Sequence, residues 1–180
     1  MIDIYIDGNV WNFVHDLKID LIHEFPRNEF NLLQTKEAEI EVLAIPESSL
    51  QRKELKKFII NEIDRCNVQT VPLFGFDCEG TPDHLRRYGG FDNSIWVTPE
   101  IKQFKEIEKP NYETTKGSGL FSNEADISLA ARSTSLLVLS LDPKKGPLKR
   151  ASLKNSNIVF LNEFKNSGKS LRNYVLCKDS

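Results

Sequence analysis

Four carboxylate positions stand where a strand or helix turns over: Asp7, Glu39 or Glu41, Asp126 and Asp142. Asp7 ends the apolar alternation "IDIYI" and is followed by Gly8, Asn9 and a new apolar group. Asp142 ends the run "LLVLSL", and Glu39 and Glu41 follow the short strand "NLLQT". Asp126 lies in the first turn of the segment "SNEADISLAARS". Each aspartate taken singly can be a helix N-cap or a first-turn residue favoured by the helix dipole. Taken together they share an address, because in a parallel sheet all strands end on the same edge and ligands bind there. Two carboxylates 4 Å apart repel by about 4 kcal/mol at an effective dielectric of ~20, unless a cation sits between them. Oxygen donors suit Mg²⁺ or Mn²⁺. Two such ions roughly 3.5–4 Å apart activate water and stabilise the leaving oxygen of a phosphodiester.

The elements that must position these groups follow from periodicity. A strand opens the chain, and the spacing of Trp11, Val14, Leu17, Leu21 and Ile22 predicts a helix near 10–24, closed by Pro26. "EFNLLQT" is a second strand ending at Thr35; "KEAEIEVL" leaves it as a helix or turn, although its alternation also permits a strand. "SSLQRKELKKFIINEIDRC" is the clearest helix, with Ser48 or Ser49 as N-cap and Leu50, Leu55, Phe58, Ile59 and Ile63 on one stripe. Residues 68–95 are irregular, Thr98 and Pro99 start a further helix, and "KPNYETTKGSGLF" reads as a loop. A helix from Ser122 or Asn123, the strand ending at Asp142, a basic helical start in "PKKGPLKRASLK" and a strand "NIVFL" complete the chain. Alternating strands and helices predict an α/β fold with a mostly parallel sheet.

This set of motifs, in this order, resembles the PIN-domain nucleases, the superfamily that includes VapC-type ribonuclease toxins. The matching residues are Asp7-Gly8-Asn9 after the first strand, a second strand ending in Thr35 with an acid downstream, "DISLAA" from Asp126, and Ser140-Leu141-Asp142. The similarity covers residues 2–43 and 120–162; the stretch 66–118 is atypical for the family and reads as an insertion within one domain. The resemblance implies a PIN-like three-layer α/β/α fold and a metal-dependent endoribonuclease acting through a metal-activated water. Asp7, Glu41, Asp126 and Asp142 would hold one or two Mg²⁺ or Mn²⁺ ions, with Glu39 as the alternative to Glu41 and Glu124 as an additional ligand. Glu41 is selected because the family's second acid stands six positions past the strand-ending Ser or Thr; Glu54 is a poorer candidate. Asn9 would orient a carboxylate or water, and Lys144, Lys145, Lys116, Arg132 and Lys149 would contact phosphates. An antitoxin or inhibitor protein and a homodimer are further partners that the family suggests.

Composition narrows the alternatives. The chain has 180 residues and a formal net charge of -2, so no global basic field marks it as a nucleic-acid binder. Local basic runs such as "QRKELKK" and "LRR" read as solvated faces. Cys66, Cys78 and Cys177 form no C-x-x-C pair, and His15, His23 and His84 are dispersed, so a metal here must be held by oxygen. No apolar run approaches the roughly 18 residues of a membrane span, and no basic leader precedes the first strand, so a cytoplasmic location is expected. A haloacid-dehalogenase-like phosphatase also starts with a strand ending in Asp, but it needs a second aspartate where this chain has Asn9, and asparagine transfers no proton. A non-catalytic PIN-like module binding RNA or protein, and an α/β protein with isolated N-cap aspartates, are the other two readings.

Overall fold

The computed structural model describes residues 1–75, 85–143, 146–154 and 156–177. In chain order the first half runs β1 (Ile2–Ile6), α1 (Val10–Leu17), α2 (Leu21–Glu24), β2 (Phe30–Gln34), α3 (Lys36–Leu43), α4 (Leu50–Cys66) and β3 (Gln69–Thr70). Then come β4 (Leu73–Phe74), β5 (Tyr88–Gly89), α5 (Pro99–Ile107), β6 (Asn111–Thr115), β7 (Phe121–Ser122) and α6 (Glu124–Arg132). The chain closes with β8 (Leu137–Ser140), α7 (Pro147–Ser152), β9 (Ile158–Phe160), α8 (Phe164–Ser167) and α9 (Leu171–Leu176).

Five of the strands form one parallel sheet in the order β3-β2-β1-β8-β9. Because strand side chains alternate, each strand feeds two cores. Ile4, Ile6, Leu32, Leu139 and Val159 pack on one face with Trp11, Val14, Leu21, Ile59 and Val175. Tyr5, Leu33, Val138 and Ile158 pack on the other with Ile101, Phe104, Leu129 and Leu148. The result is the expected α/β/α three-layer arrangement. Among the described residues no helix is long and apolar enough to cross a membrane.

The strand order carries a consequence for function. From β1 the chain steps outward to β2 and β3, then returns to the other side of β1 with β8 and continues to β9. The order therefore reverses between β1 and β8. Such a switch point opens a crevice at the carboxyl ends of the two strands.

Several local expectations are corrected. The helix predicted over 10–24 breaks in two, because Lys18 adopts φ 52, so that its N–H donates to His15 O at 3.2 Å and Ile19 N donates to Val14 O at 3.1 Å. "KEAEIEVL" is a helix: Thr35 is fully buried, and its Oγ1 accepts a hydrogen bond from Ala38 N at 3.0 Å. Leu50, placed on the buried stripe by spacing, is 73% exposed. The expected loop at 109–121 contains an antiparallel hairpin, β6 with β7, whose turn closes through Lys116 N to Leu120 O and a left-handed Gly119. Its first strand is exposed throughout, so no burial alternation advertised it. Within the atypical stretch 66–118, β3 is an edge strand of the main sheet and α5 buries Ile101 and Phe104 against the second face.

Candidate active site

Asp7 lies at the switch point. Its N–H continues the ladder to Leu139 O at 3.0 Å, and its side chain is only 7% exposed. It caps no helix: α1 starts after Asn9, and the Asp7 carboxylate instead accepts the Ser140 hydroxyl at 2.6 Å. Asn9 is spent across the same gap. Its Oδ1 accepts Leu141 N at 3.0 Å, and its Nδ2 donates to Ser140 Oγ at 3.4 Å. Asp142 N donates to the same hydroxyl at 3.1 Å. Ser140 thus uses its one proton on Asp7 and accepts two N–H groups, its full hydrogen-bonding capacity. This knot fixes the ends of β1 and β8 relative to each other.

Asp7, Glu41 and Asp126 line one cavity of about 500 Å³, together with Asn9, Asn12 and Arg52. They come from the end of β1, from α3 and from the first turn of α6. Burial pushes the Asp7 carboxyl from its ordinary 3.8 up to about 6; the Ser140 hydroxyl and Gly8 N–H oppose this, while the charges of Asp126 and Glu41 reinforce it. Burial also raises Asp126, against the pull of Lys116 and with the push of Glu41 and Asp142. The turn of the hairpin delivers a cation: Lys116 Nζ lies 2.6 Å from Glu41 Oε1. Burial alone would lower that ammonium, but the hydrogen bond to Glu41 and the charges of Glu41, Asp126 and Asp7 outweigh it and the net direction is up.

The remaining expected residues divide sharply. Asp142 is exposed and outside the cavity lining, although its charge acts on Asp126. Glu39 turns away: it pairs with Lys36 and accepts the Thr70 hydroxyl of β3 at 3.0 Å. Glu124 is held by Arg87 and by Phe121 N at 2.8 Å, so it buttresses the start of α6 instead of facing the cavity. Glu54 is exposed on α4, away from the three acids. Arg132 is corrected outright: it is fully buried, donates to Ser128 O and Val71 O at 3.0 Å each, and lies over the Tyr5 ring, so it cannot reach a phosphate. Lys144 and Lys145 lie outside the described residues, as does His84. Arg52 and Asn12 were missed. The run "QRKELKK" did contain the first of them, but a basic helix face looks the same in sequence whether it meets solvent or a cavity.

The donor set can be tested against a divalent ion. All candidate ligands are carboxylate oxygens, the hard donors that Mg²⁺ and Mn²⁺ prefer. Among the described residues no three or more Asp, Glu, His or Cys side chains are grouped so that they could hold a metal ion between them. The acids border a shared open cavity, which suits Mg²⁺, an ion usually held by one or two carboxylates plus water and substrate phosphate.

No protein-family model and no curated protein matches the chain.

Proposed function

We propose that this chain is a metal-dependent endoribonuclease of the PIN type. The observation that carries the proposal is the meeting of Asp7, Glu41 and Asp126, from three separate elements, on one cavity at the switch point, with Asp7 nearly buried and its carboxyl raised. An N-cap aspartate would accept from its own helix with its side chain, whereas the Asp7 carboxylate accepts the Ser140 hydroxyl.

Asp7, Glu41 and Asp126 would hold Mg²⁺ or Mn²⁺, with Asp142 contributing from outside the cavity lining. When bound there, the ion supplies activation of a water and stabilisation of the leaving oxygen. The chain's own residues do the rest. Ser140 and Asn9 keep the Asp7 carboxylate aimed into the cavity. Lys116 neutralises part of the acidic charge through Glu41, and as an exposed hairpin residue it can turn its ammonium to an approaching phosphate. Arg52, in the cavity lining, offers a second cation. Asn9 disfavours the phosphatase alternative, because its amide is spent bridging the two strand ends and carries no transferable proton.

The test is incubation of the purified chain with mixed RNA, and separately with single-stranded DNA, in Mn²⁺ or Mg²⁺ and in EDTA. The Asp7→Asn, Asp126→Asn double variant runs beside it. Fragmentation of RNA that needs metal and disappears in the double variant is the expected result. A folded wild-type chain that neither cuts RNA nor binds Mn²⁺ would overturn the proposal.

A further inference from the structure

The atypical stretch carries a feature that the carboxylate cavity does not explain. Phe74, Phe91 and Trp96 gather their rings at centroid distances of 4.3 to 5.8 Å, yet Phe91 is 74% and Trp96 61% exposed. Exposing two large aromatic side chains side by side forfeits hydrophobic stabilisation, and contiguous apolar patches of this kind mark binding surfaces. Their backbone is built to hold them. Phe74 N donates to Ile95 O at 2.8 Å, Ile95 N to Pro72 O at 3.1 Å, and β4 pairs in parallel with β5. Gly89 sits where any side chain would collide with Ser94 and Pro72, so the three segments are in close contact.

Two observations say what the surface receives. The first is its tether to the cavity. Arg87, one residue before β5, bonds Glu124 at the start of α6, two residues from Asp126. The same guanidinium donates to Gly119 O at 3.1 Å, in the turn that carries Lys116. Arg87 thus ties the segment entering β5 to both the start of α6 and the hairpin turn. The second is charge. Lys105 Nζ lies 5.4 Å from the Tyr88 ring centre, and Arg86, two residues before Tyr88 in the chain, is exposed. Aromatic faces flanked by cations bind single-stranded nucleic acid, because bases stack on the rings and cations meet the backbone.

We propose that Phe74, Phe91 and Trp96 form a stacking platform for unpaired RNA bases, leading single-stranded RNA into the carboxylate cavity. The proposal rests on the nuclease reading for the identity of its ligand. In a duplex the base faces are covered by their neighbours, so the platform selects single strands or loops.

The test avoids cleavage altogether. In EDTA, the full chain is titrated against a fluorescently labelled, unstructured RNA of 12 nucleotides and against the same RNA annealed to its complement. Anisotropy reports binding. The chain has two tryptophans and Trp11 is fully buried, so quenching of emission reports Trp96. Wild type should bind the single strand at least tenfold more tightly than the duplex, with emission quenched. The Phe91→Ala, Trp96→Ala variant, checked for folding by circular dichroism, should weaken binding about tenfold per ring removed, and Phe91→Tyr, Trp96→Phe should restore it. Undiminished binding by the alanine variant, equal affinity for the duplex, or no quenching at saturation would overturn the platform. So would a wild-type dimer that the alanine variant abolishes while RNA does not bind, since a second copy would then cover the rings. A chain that stacks RNA but leaves it intact in Mn²⁺ keeps the platform and loses the nuclease; one that cuts RNA with no response from Trp96 does the reverse.

Discussion

Asp7 is where stability and function pull in opposite directions. Its folded carboxyl sits at about 6 against an ordinary 3.8. Between those values the folded chain keeps a proton that the unfolded chain has lost. The stability this group contributes is therefore complete below about pH 4 and is lost as pH rises through 6, at a cost on the order of 3 kcal/mol by pH 7. Asp7→Asn removes the ionisation, and in EDTA at pH 7.5 it should raise the melting temperature by several degrees, while in Mn²⁺ it should abolish the proposed cleavage. At pH 4 the advantage should vanish, which thermal scans at the two pH values will show. Arg132 gives the contrasting case. Arg132→Ala would leave Val71 O without a donor and open a cavity over Tyr5, so it should destabilise the chain by about 3 kcal/mol in urea titration. RNA affinity of the folded fraction should be unchanged, as befits a core residue.

At the scale of elements, α3 decides which acid reaches the site. Its start depends on Thr35, whose buried hydroxyl caps Ala38 N. Thr35→Ala should cost about 1 kcal/mol of stability and Thr35→Ser very little, read as a shift in the melting temperature. The helix also explains a choice that spacing left open. Successive helical residues turn by about 100°, so Glu39 and Glu41 point to opposite sides of α3. Glu41 faces the cavity, and Glu39 reaches back to Thr70 on the edge strand. As a strand, the same segment would have put both acids on one face. The hairpin is the other deciding element, because it carries Lys116 across 75 residues of sequence to Glu41.

For the whole molecule, the proposed metal binding in the acidic crevice should be linked to stability. An ion that binds only the folded chain stabilises it by about 2.7 kcal/mol at a hundred times its dissociation constant. Millimolar Mn²⁺ should therefore raise the wild-type melting temperature by several degrees and leave the Asp7→Asn, Asp126→Asn variant unmoved in the same scan. The stretch 66–118 contacts both the main sheet and α6. β3 completes the sheet, and the Arg87–Glu124 pair joins the aromatic surface to α6.

Local patterns in the sequence determined four strands of the main sheet, β1, β2, β8 and β9, and the helices α4, α5 and α6, while β3 to β7 left no such pattern. Alternating Ile2, Ile4 and Ile6 dictate a strand, and Ser49, Thr98 and Pro99 mark helix starts that the structure contains. Residue type also limited any metal to oxygen ligands. Only the tertiary structure decided which of these groups meet. The strand order put Asp7 beside Ser140, the phase of α3 chose Glu41, the hairpin brought Lys116, and the core took Arg132. The physical reason is range: a backbone conformation and its caps depend on neighbours within about four residues. The company a side chain keeps depends on contacts between elements distant in the chain, which no local spacing encodes.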